Sequence, residues 1–430
     1  MKGTVTRIGL LVCLACGVMA GCGGGGSASG SGHGTIAFYS FNPFSGPDAA
    51  FGPEMAVACD AAVNLINVAG GVMGHKGRCG TQDTHGDPAD AVPAANQMVA
   101  ATGGLVGVLG PSSDEALATV PILNQAHIPM FADTGQAAFD HSTYPYFWRI
   151  SPADDVKGYA MSIWAYAHGF RNAALVFGND VGSQSDVPTL IKAFQKLGGR
   201  IVSNLSLTLD QSSYRSEIER MLSAHPQVIF TEVDPQTAGT FLAELKQLNG
   251  RLIPIIGTET SLEAPWLQAT SAAVGDAALR RYFVGVQPYA PTAGPAYQAF
   301  DSALHKVKGI SASNIALYST DPFAMGYYDS ITIMALAMLA AKSTTPSAYN
   351  DKIMTVTEPG SGKKIVSTYA EGKAAIAKGQ PIQFVGASGP AVFNKWHNST
   401  GAFEIASFIT AGKVQVLGEV TAAQIAQLSG

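Results

Sequence analysis

Ser112, Ser113, Asp114 and Glu115 follow in sequence an apolar stretch at 105–109 and the turn Gly110-Pro111. Two hydroxyls there open a helix, and the Ser112-x-x-Glu115 spacing is that of a capping box, in which each side chain satisfies a backbone N–H of the other. Two uses are open to these serines. They only cap the helix, or the helix start takes an anionic group such as a carboxylate, because its N–H groups are unpaired and a capping hydroxyl still has its own proton to donate. Catalytic chemistry has no comparable foothold. The nine histidines are scattered, and the chain contains no Gly-x-Ser-x-Gly elbow, no Gly-rich phosphate loop with Lys, no Gly-x-Gly-x-x-Gly and no His-Glu-x-x-His. No catalytic residue, metal site or cofactor is expected, and the chemistry to look for is that of binding.

The cysteines speak to compartment. Lys2 and Arg7 precede an apolar run at 8–20 that is too short for a permanent membrane span. It ends in Val18-Met19-Ala20-Gly21-Cys22, which resembles the lipobox of bacterial lipoproteins, with Met19 where Leu is usual. The expectation is a signal peptide at 1–21, lipidation of Cys22 and a Gly/Ser tether at 22–34; ordinary secretion with cleavage nearby is the alternative. Of five cysteines, Cys13 and Cys16 leave with the leader and Cys22 carries lipid, so Cys59 and Cys79 remain. In an oxidising compartment they are expected to form a disulfide worth about 3 kcal/mol in the chain-entropy model, the alternative being two buried thiols.

The elements that must position a binding site alternate along the chain. Strands are expected at 35–41, 77–82, 105–109 and 128–132, with helices between them, the second opened by Asp87-Pro88 and interrupted by Pro93. A second series places strands at 173–177, 200–205, 228–233 and 252–256, with helices at 189–197, closed by Gly198, and 235–248, capped by Asp234 and closed by Gly250. The run at 331–341 is only long enough for a buried helix. Such alternation implies parallel sheets with helices on both faces, and ligands then sit beyond the carboxyl ends of the strands. With 430 residues, 47% of them hydrophobic, two domains are expected, and 13% charged residues with a net charge of -5 exclude a nucleic-acid footprint.

The order of the loops resembles that of the branched-chain amino acid binding family, the type I periplasmic binding proteins that serve ABC transporters. The resemblance covers residues 35–417 and rests on Phe44-Ser45-Gly46-Pro47 with Phe51-Gly52, Ile66-Asn67 with Gly70-Gly71-Val72-Met73-Gly74, and Asp87-Pro88. Further markers are Gly110-Pro111-Ser112-Ser113, Ile128-Pro129-Met130, Phe147-Trp148-Arg149 and the segment 386–393. It implies an α/β fold of two doubly wound parallel-sheet lobes joined by a three-strand hinge, with lobe I at 35–152 plus 286–381 and lobe II at 153–285 plus 382–430.

The resemblance also implies site residues. Ser112 and Ser113 would hold a substrate carboxylate, and Thr134, Gly135 and Gln136 would complete the carboxylate and ammonium contacts, with Asp133 beside them as a misfit. Phe51 matches an aromatic wall, or else packs in the core; Tyr318 falls near a second wall position. Glu259 matches an acid that pairs with a ligand ammonium, or else is a solvated loop residue. Where relatives carry aromatic residues facing the cleft this chain has Val181 and Val233, with Glu232 and Asp234 flanking the latter, which favours a cationic or polyhydroxylated ligand. The expected function is a monomeric, lipid-anchored periplasmic or surface protein that captures a small polar solute, an amino acid or a relative of one, for an ABC transporter permease. A sensory protein of the same fold that signals to a receptor is the alternative.

Overall fold

Ile36–Asn42 reads Ile-Ala-Phe-Tyr-Ser-Phe-Asn and is buried at all but one position, as a parallel strand covered on both faces must be. It is the first strand, β1, of a computed structural model that describes residues 34–46, 48–49, 51–150, 152–289, 291–399, 401–411 and 413–429. The expected leader, Cys22 and nearly all of the tether lie outside the described residues. From β1 the chain runs through α1 (Phe51–Val68), β2 (Gly77–Asp83), α2 (Pro88–Ala101), β3 (Leu105–Ser112), α3 (Ser113–Gln125), β4 (Met130–Asp133) and β5 (Phe147–Arg149). These strands form a wholly parallel sheet in the order β2-β1-β3-β4-β5.

The alternation then starts again with α4 (Asp154–Ala167), β6 (Asn172–Gly178), α5 (Val181–Lys196), β7 (Arg200–Leu207), α6 (Arg215–Ser223), β8 (Val228–Glu232), α7 (Pro235–Asn249) and β9 (Ile255–Gly257). A 3-10 turn at Glu259–Leu262, α8 (Ala264–Val274), α9 (Asp276–Tyr282) and β10 (Phe283–Pro288) follow. Next come α10 (Pro295–Leu304), α11 (Ala312–Tyr318), α12 (Pro322–Ala341), α13 (Pro346–Tyr349), α14 (Lys352–Thr357), β11 (Lys364–Val366), α15 (Tyr369–Ala377), β12 (Ile382–Gly386) and β13 (Gly389–Pro390). The chain ends in β14 (Phe403–Thr410), β15 (Lys413–Val420) and α16 (Ala422–Ser429). The second sheet has the order β15-β14-β10-β9-β8-β6-β7, parallel from β7 to β10 and antiparallel from β10 to β15.

Each large sheet is covered on both faces. Period-two alternation sends Phe38 and Phe41 of β1 to opposite sides, the first into a core with α1 and α12, the second into one with α2 and α3. The second sheet is likewise packed between a core with α6 to α9 and one with α4, α5 and α16. The chain passes between the sheets three times: between β5 and α4, between β10 and α10, and between the bridge of Phe393 with Ser399 and β14. β12 touches α12, α14 and α15, so this stretch stays with the first sheet's helices.

Several expectations shift for local physical reasons. Helix α5 starts at Val181 and not at 189, because the Asp180 side chain accepts from Ser183 N at 2.7 Å and the helix runs on through Pro188. The strand read at 252–256 shortens to β9, since Pro254 has no N–H to give to a ladder. Helix α7 behaves as read: the Asp234 carboxylate accepts from Gln236 N and Thr237 N, and Gly250 closes it at φ 75°. Cys59 on α1 and Cys79 on β2 are joined in a disulfide, with Cα atoms 6.1 Å apart. Helix α12 is apolar and long enough by composition to cross a membrane, yet 89% of its most apolar window is buried inside the protein, which makes it a core helix.

Candidate functional site

Both large sheets repeat one topology, with the second strand of each series on the outside and the third on the other side of the first. Successive loops leave in opposite directions at such a reversal, which opens a crevice beyond the strand ends. The two reversals lie between β1 and β3 and between β6 and β8, and one cavity of ≈ 540 Å³ is lined from both. From the first sheet come Asp48 and Ala49 after β1, Ser112 to Asp114 at the β3–α3 junction, and Asp133 and Gly135 after β4. From the second come Asp180, Gly182 and Ser183 after β6, Glu232 to Pro235 after β8, and Glu259 and Thr260 after β9. Pro152, Pro288 and Phe403 line it beside the passages between the sheets. The volume is that of a small-molecule site.

Of the residues expected to touch a ligand, Ser112, Ser113, Gly135 and Glu259 line this cavity. Thr134, Gln136 and Tyr318 are not among its described lining, and the Phe51 side chain lies outside the described residues. Thr134 and Gln136 are 1% and 4% exposed and shape the loop from behind. Gln136 Nε2 donates to Ser113 O at 2.7 Å, and buried Arg149 donates through Nη1 to Thr134 O and Gln136 O while pairing with Asp140 at 2.5 Å. Ser112 donates both its N–H and its hydroxyl proton to the Glu115 carboxylate, at 3.2 and 2.9 Å. The capping use of that proton is therefore the one realised. Val233 lines the cavity, whereas Val181 is 52% exposed at the start of α5.

Glu259 is not a solitary acid. Lys157 of α4, 4% exposed, places Nζ 2.8 Å from Glu259 Oε1, 3.1 Å from Asp186 Oδ2 and 3.5 Å from Glu232 Oε2. Burial would raise Glu232, but Lys157 beside it, with hydrogen bonds from Asp186 and Thr258, holds it below the usual range. Glu259 shares the lysine with that charge, and burial with Glu232 nearby outweighs Lys157 and pushes it up to about 7. The sequence reading missed Lys157. Its one signal is a lone cation followed by the largely apolar stretch 158–167.

A second group of acids brings Asp48 and Asp114 of the first sheet's loops near Asp180 of the second's. Asp114, at the start of α3, accepts from Gly182 N of α5 at 2.9 Å, a bond from the first sheet's side to the second's. Burial and the negative charge of Asp180 raise Asp114 to about 6, and burial with Asp114 and Asp180 raises Asp48 to about 7. Among the described lining residues there are eight carboxylates and one lysine, and that lysine is in contact with two of those acids as well as with Asp186. A ligand carboxylate at the start of α3 would meet Asp114 and Asp48, whose repulsion opposes the favourable helix end.

A periplasmic binding protein family model matches residues 40–422. The Leu/Ile/Val-binding protein BraC3 of Rhizobium johnstonii is 25% identical over 247 residues, which is 56% of this chain and 66% of that protein. The alignment thus spans just under two thirds of that curated relative. Among solved structures, a leucine binding protein, LivK, of Thermotoga maritima superimposes with a TM-score of 0.72 at 16% identity, covering 90% of this chain and 99% of that one. A solute binding protein of an ABC transporter from R. palustris in complex with benzoate gives 0.69 at 18% identity, covering 90% and 96%. These relatives are binding proteins and not enzymes, and a family of this kind works outside the cytoplasm. With the match over 40–422 and the type I arrangement of two parallel sheets around a shared cavity, the chain belongs to the periplasmic binding protein family.

Proposed function

We propose that the chain captures a small, positively charged organic solute, an amine or an amino acid with an additional cationic group, and hands it to the permease of an ABC transporter. The observation that carries this reading is the charge of the cavity: eight carboxylates against a lysine already in ionic contact. The two relatives are named for leucine, isoleucine and valine or leucine, and the R. palustris structure holds an anion. An anion has no unengaged lysine or arginine among the described lining residues, whereas a cation offsets the burial and the mutual repulsion that together raise Asp48, Asp114 and Glu259. Trp266, Phe323 and Phe403 supply apolar wall and aromatic faces that attract a cation.

In this reading residues up to β5, with the stretch from α10 to the bridge of Phe393 with Ser399, form one lobe and the rest the other. The three passages act as hinges, and the solute favours closure by touching both sides. Val18 to Cys22 supports a lipid anchor that holds the protein outside the membrane. The test is a thermal-shift screen of small amines, guanidines, zwitterions and carboxylates, since a solute that binds only the native state raises the melting temperature. Upward shifts confined to cationic solutes, each recovered chemically unchanged, support the reading; shifts confined to isoleucine-like zwitterions or aromatic acids contradict it.

A further inference from the structure

Beside the lysine cluster three other carboxylates meet, from segments far apart in sequence. Glu54 projects from the first turn of α1, Asp321 caps α12, and Glu263 lies just before α8 and lines the cavity. One oxygen from each lies within 4.8 Å of the other two. Glu54 is 1% exposed, and neither of its carboxylate oxygens has a hydrogen-bond partner. Burial comes first among the influences on it, and the charges that follow, Asp321, Glu263 and Asp133, are all negative. A carboxylate buried among acids with no donor must either keep a proton or share a cation.

The spacing suits a cation. Calcium takes oxygen ligands at about 2.3–2.6 Å, so two oxygens on one ion lie at most about 5 Å apart, a bound these three meet pairwise, while magnesium demands about 2.0–2.1 Å and near-octahedral geometry. Asp321 spends Oδ1 on the backbone N–H groups of Phe323 and Ala324, at 2.7 and 2.8 Å, and the cap leaves Oδ2 out. We propose that Glu54, Asp321 and Glu263 form a site for a divalent cation of calcium's class, which ties α1 and α12 on the first sheet's side to the segment entering α8 on the second's. An ion so held joins the two sides of the cavity in the arrangement seen here, because Glu54 comes from the first sheet's side and Glu263 from the second's, and it does so whichever solute the cavity takes.

The test uses the full chain, stripped of metal and titrated with terbium, an oxygen-seeking probe of calcium sites that is followed by its emission. Saturable emission is expected, displaced by calcium, with affinity reduced about tenfold or more in Glu54→Gln and in Glu263→Gln, which keep size and remove charge. Neither variant should melt lower than wild type without metal, since each loses repulsion, and this separates a lost site from a lost fold. Wild type that takes up neither terbium nor calcium overturns the proposal, as does uptake that both variants leave unchanged. Loss of organic-amine binding in Glu54→Gln, with no calcium uptake by wild type, assigns the cluster to the solute and overturns the metal assignment. Failure of the amine screen leaves the terbium result standing, so the two proposals fail separately.

Discussion

Replacing Lys157 with Met tests the electrostatic frame of the second sheet's side of the cavity. Its ammonium lies 2.8, 3.1 and 3.5 Å from Glu259, Asp186 and Glu232. At an effective dielectric of about 20 each such pair attracts by about 5 kcal/mol. Desolvation and repulsion among the three acids return most of this, and removing one partner from a buried ionic cluster costs about 3–5 kcal/mol. An unfolding entropy of about 2.1 cal/mol/K per residue over about 400 residues converts that into a melting temperature lower by about 4–6 °C at pH 8. The sign with pH follows from the acids. Without the lysine their folded-state pKa values rise, so the folded protein keeps protons that the unfolded chain has released, and the deficit grows as pH rises from 5 to 8. Calorimetric melting of wild type and Lys157→Met at both pH values reads this out. An unchanged melting temperature at pH 8, or a larger loss at pH 5, would refute the role given to Lys157.

Glu259→Gln should weaken a cationic solute about tenfold, the loss of one charge-assisted contact of about 1.5 kcal/mol or more. It should cost little stability, because Lys157 keeps Asp186 and Glu232; calorimetric titration and melting check the two halves. Asp48, Asp114 and Glu259 are raised to about 7, 6 and 7. Folded-state carboxylates so raised hold protons that the unfolded chain loses near pH 4, so wild type should be more stable near pH 5 than near pH 8, and a flat urea-stability profile would contradict this. By the same linkage, cation affinity should rise from pH 5.5 to 8 with release of protons, visible as a buffer-dependent binding enthalpy. Replacing both Cys59 and Cys79 with Ala, which opens a loop of sequence separation 20, should lower stability by about 3 kcal/mol. Equal urea midpoints for the two proteins would count against it.

Much of the frame was legible because it is local. Apolar runs such as 173–177 announce buried strands, Asp234 with Pro235 marks a helix start, and the loops after strands are where a doubly wound sheet must place its site. The helix start at Ser112 and Ser113 was read that way too, whereas Gly135 and Glu259 came only from the family resemblance; all four line the cavity. The partners of these residues were not legible, because they are set by packing between distant segments. Lys157 and Glu259 are 102 residues apart, and the Asp114 to Gly182 bond spans 68. Sequence alone shows Glu54 as one acid in an amphipathic helix; only the packing of α1 against α12 sets it beside Asp321. Thr134 and Gln136 lie behind the lining because Arg149 draws their carbonyls inward, a contact that nothing in their own loop announces.

Selection of positive charge by the carboxylates of the cavity is the property on which the proposed function depends. Calorimetric titration with pairs of solutes that share a carbon skeleton and differ only in their end groups, diamines against the matching dicarboxylates and amino acid amides against the free acids, measures that selection directly. In every pair that gives heat the more cationic member should bind more tightly; a pair in which the acid or the zwitterion binds more tightly would contradict the account.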